Sequence, residues 1–142
     1  MRVLVDTAVW SLALRRRNHN QNAAIKATLA SIVADGQVAM IGPIRQELLS
    51  GIREPEQFDR LREHLRGFPD TEITPDDYAE AASFFNRCRD EGIQGSNTDF
   101  LICAVAVRNE FAIFTTDKDF VHFQKVLPIV LHYGSGASQE AE

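Results

Sequence analysis

Apolar residues follow two rhythms along this chain, short unbroken runs and longer stretches at helical spacing, and the two alternate from end to end. Residues 2–5 form the first run, and Asp6-Thr7 then reads as a helix N-cap ahead of Ala8 to Leu14. Asn20 or Asn22 opens a second helix through Ala34, with Ile25, Leu29, Ile32 and Val33 on one face. Gly36 closes it before a strand from Val38 to Ile41, and Gly42-Pro43 starts a third helix carrying Glu47.

The stretch from Glu54 to Arg66 predicts an amphipathic helix with Phe58, Leu61 and Leu65 inward, ended by Gly67 and Pro69. Thr74-Pro75-Asp76-Asp77 combines a capping threonine, a proline at the first position and acids in the first turn, and its helix runs to about Gly92. Gly95-Ser96-Asn97 introduces another from Thr98 to Arg108. Two apolar strands remain, 112–115 and 129–131, separated by the acidic turn Asp117-Lys118-Asp119-Phe120 and a short helical piece. Helices alternating with short apolar strands predict an α/β fold, three layers (α/β/α) around a central, mainly parallel sheet. The domain is expected to span residues 1–133, and residues 134–142, which contain no large apolar side chain, to form a flexible tail.

With 142 residues, 44% of them hydrophobic, the chain holds one well-buried core and is too short for two ordinary domains. No apolar stretch approaches the roughly 20 residues that span a bilayer, and the N-terminus lacks the layout of a cleavable signal, so a soluble cytoplasmic protein with no membrane partner is expected. Cys88 and Cys103 lie in separate helical patterns without a CxxC pair and are expected as buried or half-buried free thiols. His19, His64, His122 and His132 are scattered, which favours surface or locally hydrogen-bonded roles. A net charge of −5 excludes bulk electrostatic coating of nucleic acid. It does not exclude a nuclease, because acids around a metal add to that total, and Arg15-Arg16-Arg17 is either a local phosphate-binding patch or a cationic helix end.

Four acids change the picture. Asp6 and Asp117 follow directly on strand ends, where ligands bind in open α/β sheets, and Glu47 and Asp99 come from intervening helices. Taken singly, each has a structural explanation as a cap, a helix-dipole partner or a solvated side chain. Together, carboxylates crowded into one pocket raise one another's pKa and repel, which asks for a cation, and oxygen-only ligands favour Mg²⁺ or Mn²⁺. Thr7, Thr115 and Thr116 stand beside the first and last of the four.

The blocks that carry these acids are Val3-Leu4-Val5-Asp6-Thr7-Ala8-Val9-Trp10, Pro43-Ile44-Arg45-Gln46-Glu47-Leu48-Leu49-Ser50-Gly51, Asn97-Thr98-Asp99-Phe100-Leu101-Ile102-Cys103-Ala104 and Phe114-Thr115-Thr116-Asp117-Lys118-Asp119-Phe120. In order, spacing and chain length this pattern resembles the PIN-domain ribonucleases, most closely the VapC-type toxins of toxin–antitoxin pairs, over residues 2–133. The resemblance implies Asp6, Glu47, Asp99 and Asp117 as metal-binding acids, with Thr115 ordering the site, and no separate organic cofactor. Asp119 is read as a cap of the short helix ahead of a supporting role. The implied activity is Mg²⁺- or Mn²⁺-dependent endoribonuclease chemistry on RNA, leaving a 5′-phosphate and a 3′-hydroxyl. The implied partners are a VapB-like antitoxin, whose C-terminal segment lies across apolar helices, and a second copy in a homodimer.

Arg15, Arg16, Arg17, Arg45 and Lys118 are candidate phosphate contacts through their nearness in sequence to the acids. Trp10, Leu12 and Leu14 are candidate antitoxin contacts, with core or dimer packing the favoured alternative for Trp10. A haloacid-dehalogenase-like phosphatase would need an acid where Ala8 stands, and a receiver domain would need paired acids after the first strand. The non-enzymatic alternative is a PIN-like module that binds RNA or protein without cutting, against which the intact acids argue.

Overall fold

The computed structural model describes residues 1–14 and 22–135, so Arg15, Arg16, Arg17, His19 and Asn20 lie outside the described residues, as do positions 136–142. Four strands, β1 (Val3–Val5), β2 (Val38–Ala39), β3 (Ala112–Phe114) and β4 (Val130–Leu131), pair in parallel in the order β2-β1-β3-β4. The unbroken apolar runs suit a sheet covered on both faces: Leu4, Val5, Ile113 and Phe114 have no exposed surface. Strand β2 stops two residues before the expected end. Met40 keeps one bridge to Asp70, and Ile41 then adopts the extended N-cap conformation of α3 (Gly42–Leu49), whose Pro43 cannot donate to a ladder.

The order of strands places the site. From β1 the chain moves outward to β2 through α1 (Thr7–Leu14) and α2 (Ala23–Ala34), then returns past β1 to β3 through α3, α4 (Pro55–Leu65), α5 (Pro75–Asp90) and α6 (Asn97–Asn109). The helix α7 (Asp119–Gln124) then leads to β4. Direction reverses between β1 and β3, and at such a switch point the connections leave to opposite sides and open a crevice at the carboxyl ends of the two strands.

Helix α6 packs against β3 of the sheet. Seven consecutive residues, Phe100 to Ala106, are buried, which makes it apolar all round rather than one-faced. It packs against α5, and the pair is tied by Arg108, whose Nε and Nη2 donate to the buried Asp77 carboxylate at 2.6 and 2.8 Å. Asp77 also closes a capping box with Thr74, as the sequence predicts. Cys88 and Cys103 are free, buried thiols, matching the expectation. Gly95 leads into α6 because a Cβ there would lie 2.5 Å from Phe123 and 3.0 Å from Phe100.

Gly134 and Ser135, the first two residues of the stretch expected as a tail, pack closely: Ser135 is fully buried and hydrogen-bonded to β3, and a Cβ on Gly134 would meet Thr28 of α2 at 2.6 Å. Composition hid this, because small residues are what such close packing requires. Trp10 is a core residue at 1% exposure, edge-on to Phe68 with ring centroids 5.3 Å apart, which is the core packing favoured for it over an antitoxin contact. Leu12 is half-buried and Leu14 exposed. Among the described residues no helix is long and apolar enough to cross a membrane.

Candidate active site

Asp6 is held at the end of β1 by its own backbone. Its N–H donates to the Phe114 carbonyl at 2.9 Å, extending the β1–β3 pairing by one bond, and its carbonyl accepts from Val9 and Trp10 at the start of α1. Strand end and helix start therefore coincide at one residue. The Asp6 carboxylate accepts from the Thr7 N–H at 2.8 Å through Oδ1 and from the Thr115 hydroxyl at 2.8 Å through Oδ2. Asp6 and Thr115 lie 109 positions apart in sequence.

Thr115 joins two acids. While its Oγ1 donates to Asp6, it accepts from the Asp117 N–H at 3.0 Å, so one hydroxyl sets the relation between the ends of β1 and β3. Asp117 in turn accepts from the Asp119 N–H at 2.9 Å, a local turn that opens α7. Asp119 thus contributes its backbone N–H to holding Asp117 and stands in the first turn of α7, whose N-cap is Lys118 without a side-chain capping bond.

Asp99 occupies the third position of α6 and closes a capping box with Ser96: its Oδ2 accepts from the Ser96 N–H, and its N–H donates to Ser96 Oγ, both at 3.1 Å. The dull role as a helix-start residue and the candidate site role therefore coexist in one side chain. Glu47 is exposed on α3 and reaches the site through Thr7, whose hydroxyl donates to Oε2 at 3.0 Å.

The electrostatics bind these acids into one unit. Burial pushes the Asp6 carboxyl up from 3.8 to about 6, opposed by the bonds from Thr115 and Thr7 and reinforced by the charges of Asp99 and Asp117. The Asp99 carboxyl is also raised, mainly by burial, against the Ser96 bonds and with further repulsion from Asp117 and Asp119. Cys103, one turn beyond Asp99, is kept protonated by burial and by the same negative charges.

Asp6, Asp99 and Asp117 thus act on one another, and Glu47 joins through its hydrogen bond from Thr7. Among the described residues no three His, Cys, Asp or Glu side chains converge into a ready-made metal-ligand group. The chemistry of these acids nevertheless fits a hard cation. The donors are oxygens only, they strain one another electrostatically, and each carboxylate oxygen has two lone pairs, so the positioning bonds leave acceptor capacity unused.

Arg45, a candidate phosphate contact, is committed elsewhere. Nε and Nη2 donate to Asp70 Oδ1 at 3.0 and 2.9 Å, Nη1 donates to the Leu65 carbonyl at 2.9 Å, and Nη2 also reaches the Phe68 carbonyl. It ties α3 to the end of α4. Lys118 stands at the N-cap of α7 between Asp117 and Asp119. Three residues carry more of the site than the sequence suggested: Thr7 as the link to Glu47, Ser96 as the clamp on Asp99, and Ser135 behind Thr115. The Ser96-x-x-Asp99 spacing signals the second, whereas nothing in the local sequence signals the third.

A family profile described as PIN domain matches residues 3–126. Ribonuclease VapC11 of Mycobacterium tuberculosis is 28% identical over 120 residues, 83% of this chain and 88% of that protein. Among solved structures, FitAcB from Neisseria gonorrhoeae superposes with a TM-score of 0.72 at 19% identity, covering 93% of this chain and 97% of that one. VapBC2 from Rickettsia felis, bound to a DNA fragment from its promoter, superposes with a TM-score of 0.73 at 15% identity, covering 93% and 98%.

Proposed function

Since this chain belongs to the PIN-domain family, we propose that it is a metal-dependent endoribonuclease acting as the toxin of a toxin–antitoxin pair. The observation that carries the reading is the buried Asp6 carboxylate, linked through the Thr115 hydroxyl to Asp117 and repelled by Asp99, at the crevice between β1 and β3. The relative named as a VapC ribonuclease and the resemblance in the four acidic blocks support the same chemistry.

Asp6, Glu47, Asp99 and Asp117 would hold Mg²⁺ or Mn²⁺, which when bound lowers the pKa of water and neutralises charge gathering on the phosphate. The chain's own residues keep the acids in place. Thr115 orients Asp6, Ser96 fixes one oxygen of Asp99, the Asp119 N–H fixes one of Asp117, and Thr7 draws in Glu47. Attack of water on phosphorus breaks the bond to the 3′-oxygen, which takes up a proton, leaving a 5′-phosphate and a 3′-hydroxyl.

The reading includes a VapB-like antitoxin, an RNA substrate, a homodimer and a cytoplasmic location. Leu14, exposed at the end of α1, lines a groove of about 380 Å³ with Ile52 and Leu61 beside the polar Gln57, Arg60 and His64, a mixed surface suited to an amphipathic antitoxin segment. The test is cleavage of a mixed RNA pool by the purified, antitoxin-free protein in Mg²⁺ or Mn²⁺. Cutting that is abolished by EDTA, by Asp6→Asn and by Asp99→Asn is expected. No cutting by folded protein with either metal would favour a binding module instead.

A further inference from the structure

The parallel ladder between β3 and β4 runs out before it reaches the site. Ala112 pairs with Val130 and Ile113 with Leu131, and the His132 N–H donates to the Ile113 carbonyl at 2.7 Å. The next donor on that edge of β3 is the Thr115 N–H, since the Phe114 carbonyl faces the other way, to Asp6. By then the partner chain has turned away: the Ser135 N–H closes a turn onto the His132 carbonyl at 2.9 Å. A buried N–H at this place needs a substitute partner.

Ser135 supplies it. Its Oγ accepts from the Thr115 N–H at 3.1 Å and donates to the Ile113 carbonyl at 3.2 Å, acting as a side-chain rung where the backbone ladder ends. The hydroxyl uses its one proton and an acceptor site at once. The turn that delivers it is fixed by the Gly134 N–H on His132 Nδ1 at 2.9 Å and by the close approach of Gly134 to Thr28.

From there a continuous chain of bonds reaches both carboxylates. We propose that Ser135 is a positioning residue of the active site, holding the end of β3 so that the Thr115 hydroxyl meets Asp6 while accepting from the Asp117 N–H. The inference rests on the ribonuclease reading for its consequence and on geometry for its existence. The C-terminal turn then belongs to the catalytic apparatus as the back wall of the site.

Ser135→Ala tests it with two readouts. Native-state hydrogen exchange should speed up at the Thr115 amide, which loses its partner, and also at Asp117, whose amide never touches Ser135. Mn²⁺ affinity should fall about 10-fold, the size typical of losing a group that orients a metal ligand. Asp77→Asn, a destabilising change in the α5–α6 pair, should leave Mn²⁺ affinity within about twofold, which separates positioning from general loss of stability. If the alanine variant does not fold, Ser135→Cys keeps the size with a weaker hydrogen-bonding group, and the same shifts are expected at smaller amplitude. Parental exchange at Asp117 together with parental Mn²⁺ affinity would overturn the proposal. Should the parent itself bind no Mn²⁺, the metal reading falls, and the exchange at Asp117 alone decides whether Ser135 positions the site.

Discussion

Replacing Asp6 with asparagine should remove activity and yet stabilise the metal-free protein at neutral pH. In the folded state the Asp6 carboxyl is 7% exposed and its pKa stands at about 6 rather than 3.8. A raised folded pKa means that the folded chain binds this proton more tightly than the unfolded chain does. The group therefore costs nothing below about pH 4, and stability is lost as pH rises from the unfolded value through the folded one. At pH 7.5 the rise from 3.8 to about 6 amounts to about 3 kcal/mol.

Asparagine has nearly the same shape and no charge, but only one acceptor oxygen, so it forfeits one of the bonds from Thr7 and Thr115, worth about 1 kcal/mol. The balance is a variant about 2 kcal/mol more stable than the parent at pH 7.5 in EDTA. At pH 4.5 the advantage should vanish or reverse. Urea denaturation at both pH values measures it, with the m-value checked for constancy. A parent–variant difference that does not change between the two pH values, or a variant less stable at pH 7.5, would refute the reasoning. In excess Mg²⁺ the order should invert, because a ligand that binds only the intact folded site stabilises the parent by mass action.

Asp77→Ala should destabilise by about 2 kcal/mol through loss of the Arg108 pair and the α5 cap, a figure discounted because Arg108 is 41% exposed. Arg108 holds the Asp77 carboxyl below 3.8, so its contribution is present above that pH and is lost on acidification; the gap to the parent should narrow as pH falls below 3.8 in urea titrations. Gly95→Ala forces a Cβ against Phe123 and Phe100 and should cost roughly 1–3 kcal/mol, with slower cleavage because Phe100 adjoins Asp99; an unchanged thermal midpoint would show that the rings yield freely. Arg45→Ala should cost about 2 kcal/mol by freeing the Leu65 and Phe68 carbonyls, while anisotropy with labelled RNA shows unaltered affinity. Weaker RNA binding by folded protein would restore Arg45 as a phosphate contact.

The elements were legible because local signals and the tertiary fold agree. Thr74-Pro75-Asp76-Asp77 and Ser96 to Asp99 each write a capping box that the structure forms, and the apolar runs at 3–5 and 112–114 become the two central strands. The placement of Asp6 and Asp117 at strand ends was legible for a related reason: polar residues directly after buried strands have few places to go except the crevice at the sheet's edge. Arg45 misled because closeness in sequence to Glu47 says nothing about facing. Two residues along a helix turn the side chain away, here toward Asp70 and the end of α4.

Sequence by itself determined the family, the α/β alternation and the caps, since each depends on the order of residues within a few turns of chain. Tertiary structure alone decided which hydroxyl meets which acid. Thr115 reaches Asp6 across 109 residues and Ser135 reaches Thr115 across 20, through strand registers that no local pattern encodes. It also decided that Trp10 belongs to the core and that the folded body includes Gly134 and Ser135. Close packing and unpaired backbone groups select small residues at such places, and small residues in a sequence look the same whether they are packed or free.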